Sequence, residues 1–168
     1  MRTVKVEELS CENFKSFGFY ANMINPDTEK FGSPPREFYR DIIQQNIGNT
    51  YTVSYSITKV YPRDLIINMS EYHSKTAEGL LPLDNDILIH VAPATRPNND
   101  FPSDKIRIFY IHKGTLVVIH PGVWHHAPFV INDNPANVLI ILPERTYAND
   151  CVVTQIHDGN FIQIEDNK

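Results

Sequence analysis

Cysteine is scarce in this chain: Cys11 and Cys151 are the only two among 168 residues. Two thiols that far apart make no disulfide framework, and they read as reduced thiols of a cytoplasmic protein. They also exclude a thiolate metal site, which needs several sulfurs at short spacing. Positive charge is in deficit as well. The net charge is −5, and no basic patch interleaves with aromatics, so nucleic acid is not an expected partner. Long apolar runs are missing too. Val138–Pro143 is among the longest and is far too short to cross a bilayer. The opening MRTVKVEELS lacks the apolar core of a signal peptide. A cytoplasmic protein with no membrane partner is therefore expected. There is no internal repeat, low-complexity tract or long linker. The length suits a single domain, residues 1–168, and a chain of this size buries about 70% of its unfolded surface.

What is present divides at residue 50. Residues 1–50 read as an N-terminal extension with a short helix and a loop, and 51–168 as a β-barrel. Within the extension, 8–16 (ELSCENFKS) predicts a helix with Ser10 as N-cap. Residues 21–36 are rich in Pro, Asn and Gly and predict a loop, and 37–45 predicts one or two helical turns behind Pro34 and Pro35. From 51 onward short β-rich runs recur, such as YTVSYSITKV, DILIHVAP, KIRIFYI, TLVVIH and NVLIILP. Turn signals separate them, among them Pro62-Arg63-Asp64, Asp84-Asn85-Asp86, Pro97-Asn98-Asn99, Lys113-Gly114, Pro121-Gly122 and Asn132-Asp133-Asn134. Many short strands at regular spacing predict an all-β, mainly antiparallel barrel or sandwich.

Two segments concentrate imidazole and carboxylate. In the run Glu71 to Glu78, Glu71 and His73 are two apart and project from one face of an extended strand. Glu78 follows a turn, and a hairpin brings it back beside His73. In the run Gly114 to His126, a strand ends in His120, turns at Pro121-Gly122 and returns with His125 and His126. This geometry can bring His120 near His125. His125 and His126 face opposite sides of their strand, so at most one points inward. Imidazole with carboxylate suits Zn, Fe, Ni or Mn and leaves coordination positions open for substrate or water. The plainer readings stand beside these. His90, His112 and His157 read as hydrogen-bonded structural histidines. The 71–78 group taken alone reads as a solvated strand end, and Trp124 reads as a packing residue sooner than as a substrate platform.

The two segments together resemble the cupin motifs, G-x5-H-x-H-x3–4-E-x6-G and G-x5-P-x-G-x2-H-x3-N. Glu71-x-His73-x4-Glu78 is similar to the core of the first, with Glu71 where the first His stands. Gly114-x5-His120-x-Gly122-x2-His125 is similar to the second, with His120 in place of the proline and Phe129 in place of the terminal Asn. A narrower resemblance is to the ureidoglycolate lyase family. It is carried by Glu71-x-His73, Gly79-Leu80-Leu81-Pro82-Leu83 and His120-x3-Trp124-His125-His126-x-Pro128-Phe129. Leu9-Ser10-Cys11-Glu12-Asn13-Phe14 and Asn149-Asp150-Cys151-Val152 add to it. Glu78 stands where that family carries Gln, and residues 21–50 show little similarity.

The resemblance implies a single cupin jelly-roll barrel with one or two short N-terminal helices, forming a homodimer. It implies a divalent metal (Zn, Ni, Mn or Fe) on His73, Glu78, His125 and Glu71, and a small anionic substrate. The implied reaction splits ureidoglycolate into glyoxylate and urea. It needs a base for the hydroxyl proton, assigned to Glu71 or His120, and an acid for the departing nitrogen. Arg107, then Lys59, is the expected cation for the substrate carboxylate, with Trp124 as a further substrate contact. The competing expectations are a metal-dependent sugar isomerase or epimerase of the same fold and a non-catalytic small-molecule binder.

Overall fold

The structure is a computed structural model, and it describes residues 1–96, 100–157 and 159–165. The expected turn at Pro97-Asn98-Asn99 lies outside the described residues. In chain order the elements are β1 (Arg2–Glu8), α1 (Cys11–Phe14), β2 (Gly18–Asn22), β3 (Phe31–Ser33), β4 (Arg36–Phe38), β5 (Val53–Val60), β6 (Ile66–Ile67) and β7 (Met69–Tyr72). They continue with β8 (Glu78–Pro82), β9 (Ile87–Val91), β10 (Arg107–Ile111), β11 (Thr115–Ile119), β12 (Ala136–Pro143), α2 (Thr146–Asn149), β13 (Val152–Gln155) and β14 (Ile162–Glu165).

Two five-stranded sheets make the body, in the orders β6-β14-β1-β10-β9 and β2-β11-β8-β12-β5. Pairing is mostly antiparallel, but β1 runs parallel to both β10 and β14. Single bridges extend the first sheet past β9, linking Leu88 to Phe129 and Ala92 to Trp124, while Glu71 bridges to His125. The alternation of each strand assigns its residues to one core or another. Leu80, Ile87, Ile89, Phe109, Val117, Ile119 and Val123 share an inner cluster with Phe14 and Phe17. Leu88, Ile108, Trp124, Phe129, Ile162 and Ile164 share a second cluster on the other face of β9 and β10. Each such buried side chain contributes about 1.5–3 kcal/mol of transfer free energy.

The division at residue 50 does not describe this molecule, because β1 and β2 are integral to the two sheets. Arg2, Lys5, Glu7 and Glu8 obscure the strand character of β1, whose only packed apolar residues are Val4 and Val6. The helix predicted over 8–16 shortens to α1, with Ser10 as its N-cap in a reciprocal capping box with Asn13. The second expected helix is absent. Residues 31–38 form the β3–β4 hairpin around Pro34-Pro35, and 39–45 carry no regular element. That stretch instead covers part of the outer face of the second sheet. Ile43 packs against a cluster of Ala77, Leu116 and Val118. Gln45 Nε2 donates to the carbonyls of Ala77 (2.9 Å) and Ile141 (2.8 Å). It fits because residue 79 is glycine: a Cβ there would lie 2.8 Å from the Gln45 amide oxygen.

Candidate metal centre

The centre forms where strand register brings β7, β8 and the segment after β11 together. Glu71 and His125 exchange two backbone hydrogen bonds, 2.6 Å and 2.8 Å, so their side chains leave the same face. His73 lies two residues beyond Glu71, and Glu78 begins β8 on the face that Leu80 continues into the inner core. Gly122, at φ +80°, turns the chain between His120 and His125 and donates its N–H to the His73 carbonyl at 2.6 Å. Only a residue tolerant of that backbone conformation fits there.

His73 and His125 are almost fully buried, with ring centroids 5.3 Å apart. Each imidazole donates Nδ1–H to a backbone carbonyl, His73 to Asp150 at 2.6 Å and His125 to Val123 at 2.8 Å. Each then turns Nε2 toward one carboxylate oxygen, Glu78 Oε2, at 2.9 Å and 3.1 Å. One ligand atom each from Glu71, His73 and His125 also falls within 4.8 Å of the others. Glu71 Oε2 accepts the Cys151 thiol at 3.3 Å.

The donor set fits a divalent cation. With both Nδ1 atoms committed as donors, neutral rings offer lone pairs at Nε2. Two lone pairs facing an ionised carboxylate repel unless positive charge stands between them, as protons or as a metal. Burial opposes ionisation of Glu78, yet the charge and hydrogen bonds of His125 and His73 outweigh it and hold the carboxyl down to about 2. Burial likewise discourages protonation of His125, and Glu78 reverses this and raises its pKa.

Glu71, His73, Glu78 and His125 thus meet at one point. The other expected site residues do not. His120 directly follows β11 with the outward parity of Val118, and its ring packs edge-on against the exposed Phe19 at 4.8 Å. The sequence spacing allowed it to approach His125, but strand alternation turns it outward. Arg107 forms a two-pronged pair with Glu7, donating from Nε to Oε1 at 2.8 Å and from its Nη2 to Oε2, and its Nη1 reaches the Asn13 carbonyl. Lys59 projects from the edge strand β5 over Tyr61. Trp124 is buried in the second core, edge-on to Tyr72 at 4.6 Å, with its indole N–H on Thr95. It is a packing residue. His90 is structural, its Nε2 beside Ser70 Oγ at 3.1 Å. His112 is exposed near Glu8 and Asp86.

The sequence reading missed what surrounds the centre at its C-terminal side. Tyr147, in α2, places its ring 6.2 Å from that of His73. Asp150 and Cys151 touch His73 and Glu71. The only signal for them was the short stretch Asn149-Asp150-Cys151-Val152. Both cysteines are free thiols.

Among solved structures, the chain is similar to a dTDP sugar isomerase from Desulfovibrio desulfuricans G20, at 15% identity over 79% of this chain and 83% of that one, with a TM-score of 0.51. It also matches the oxalate decarboxylase of Lactobacillus farciminis at 19% identity over 60% of this chain and 26% of that chain, with a TM-score of 0.43. The oxalate decarboxylase of Bacillus subtilis matches at 16% identity, 62% and 24% coverage and a TM-score of 0.44. The chain spans about a quarter of the length of these decarboxylases. The all-β cupin fold expected from the sequence stands. No curated protein sequence matches the chain. The family model described as ureidoglycolate lyase matches residues 1–163. With nearly the whole chain matched, and a cupin barrel that gathers the residues of both motifs at one point, this protein belongs to the ureidoglycolate lyase family.

Proposed function

We propose that this protein is a lyase that splits ureidoglycolate, or a closely related small 2-hydroxy acid, with a divalent metal held by His73, His125 and Glu78 and with Glu71 as the base. The observation that carries the reading is the convergence of both Nε2 atoms on Glu78 Oε2 while both Nδ1 atoms are tied to backbone carbonyls. A bound divalent ion supplies Lewis acidity toward the substrate hydroxyl and offsets the two carboxylates.

The chain's own groups then account for the proton. Cys151 occupies Glu71 Oε2, leaving the other oxygen to take the hydroxyl proton. As the O–H bond breaks, the carbon–oxygen double bond forms and the carbon–nitrogen bond breaks. The electron pair leaves on the urea nitrogen, and the proton on Glu71 passes to it, so glyoxylate and urea form with no proton gained or lost. Positioned transfer of this kind contributes about 10²–10⁴-fold. Arg107 is held by Glu7 and Lys59 stands on the outer edge, so neither serves as counter-charge for the substrate carboxylate in this reading.

The test is glyoxylate release from ureidoglycolate by the metal-loaded protein, with metal content measured in parallel. Activity with bound metal is expected in the parent, and loss of both in His125→Ala. A loaded protein that released no glyoxylate would overturn the reading, and turnover of a nucleotide sugar instead would favour the isomerase chemistry.

We also infer a homodimer, paired through the outer face of the second sheet. The middle of that face lies under Ile43 and Gln45, and its β5 edge carries Tyr55 and Ile57 uncovered. Tyr55 is 71% exposed and neighbouring Ile57 55%, an apolar patch on that edge. Light scattering on the eluting protein should give twice the chain mass, with Ile57→Lys shifting it toward one, and a monomeric parent would remove the idea. A cytoplasmic location belongs to the same reading, supported by the two free thiols. Among the described residues no helix is long and apolar enough to cross a membrane.

A further inference from the structure

The stretch from α2 to β13 touches the centre at two points and the preceding turn at three more. The Asp150 carbonyl accepts Nδ1–H of His73 at 2.6 Å. Its carboxylate takes three donors from the turn between β7 and β8. Ser74 N–H (2.9 Å) and Ser74 Oγ–H (2.6 Å) go to Oδ1, and Lys75 N–H (2.7 Å) goes to Oδ2. The next residue, Cys151, donates its thiol to Glu71. None of these contacts is required by the strand pairing of β13 with β7, which begins at Val152 and Tyr72.

We propose that Asp150 is a positioning residue for the metal centre, acting through His73. Its carbonyl decides which ring nitrogen carries the proton, and an imidazole that donates Nδ1–H presents Nε2 as a lone pair. Its carboxylate decides where that carbonyl stands. Ser74 and Lys75 directly follow His73, so the same residue holds the ring of His73 and the backbone on its C-terminal side. A shift at residue 150 therefore rotates the imidazole relative to Glu78 Oε2 while the β-sheets stay intact. An Asp that merely capped an exposed turn would affect stability alone and leave the metal's environment unchanged.

The inference rests on the metal reading, and the experiment separates the two. Mn(II) is the probe, followed by its electron paramagnetic resonance spectrum and by competition with a chelator. The variants are Asp150→Ala, which removes both carboxylate oxygens and the three hydrogen bonds they accept, and Asp150→Asn, which keeps one oxygen for Ser74 and gives up the acceptor for Lys75. Asp150→Ala is expected to weaken Mn(II) binding about 10- to 100-fold and to change the spectrum, the scale seen when outer partners of metal ligands are lost. Asp150→Asn should fall between it and the parent. If Asp150→Ala does not fold, Asp150→Asn decides by the same two readouts. A parent that takes up no Mn(II) removes the metal reading and this inference with it. A parent that binds, beside folded variants with unchanged affinity and spectrum, overturns the positioning role alone.

Discussion

Glu71 and His125 face each other across a single antiparallel bridge, each giving its backbone N–H to the other's carbonyl. They lie 54 positions apart in the chain on segments that share no regular ladder, yet this one bridge sets a carboxylate and an imidazole side by side on the same face. The centre thus depends on backbone register before it depends on side-chain chemistry.

Both imidazole Nε2 atoms converge on Glu78 Oε2, so its charge should dominate metal retention. Glu78→Gln keeps the shape and removes the negative charge. Metal affinity is expected to fall by more than about tenfold, at least the effect of losing an outer partner. Chelator competition on parent and variant measures this. Equal affinities would show that Glu78 is not part of the metal's environment.

The buried His90 gives the protein an acid liability. Burial first, then His126, His125 and Arg63, push its pKa down to about 3 from 6.5. Its Nδ1 has no hydrogen-bond partner. Above pH 6.5 the ring is neutral in both folded and unfolded chains, and its stability contribution is fully present. As pH falls from 6.5 toward 3 the unfolded chain binds the proton and the folded one does not, so stability drops by up to about 1.4 kcal/mol per pH unit. Urea denaturation of metal-free protein across that window should show a steeper loss for the parent than for His90→Leu. Parallel slopes would contradict this account.

The two thiols should react very differently. Cys11 is exposed. Cys151 is pushed up to about 12, by burial first and then by its hydrogen bond to Glu71 and the charge of Glu71 and Glu78. The thiolate is the nucleophile. In chelator-treated protein at pH 8, iodoacetamide is expected to label Cys11 readily and Cys151 far more slowly. Mass spectrometry of the two peptides reads the result, and equal rates would be the contrary outcome.

Trp124 is a core residue in this fold, with 1% of its surface exposed between Tyr72 and Phe101. Trp124→Ala should cost about 3–5 kcal/mol of stability, the usual range for removing a buried large aromatic. A denaturant midpoint within experimental error of the parent would show that the indole is not packed as described.

Much of this molecule was legible in the chain. The short alternating runs after residue 51 announced antiparallel strands because side chains alternate across a strand whatever its partners are. Glu71 and His73 were recognisable because a spacing of two puts them on one face of a strand, and Glu78 and His125 were singled out by the resemblance to the cupin motifs. Ser10 was recognisable as a cap because capping is local. The failures share one cause. His120 and His125 have compatible spacing, but the parity of β11 sends His120 to Phe19 on the outside. Arg107 looked available until Glu7, 100 positions away, was brought against it by parallel pairing of β1 with β10.

The sequence by itself determined the strand-rich class and the scarcity of thiols and positive charge, and its resemblance to the cupin motifs picked out the four residues that meet. The tertiary structure alone decided that they meet, that both imidazoles are oriented from behind by backbone carbonyls, and that Asp150 and Cys151 belong to the same centre. The physical reason is range. Alternation, caps and turns are set by neighbours within a few residues, while register between distant strands is set by which faces can be buried together.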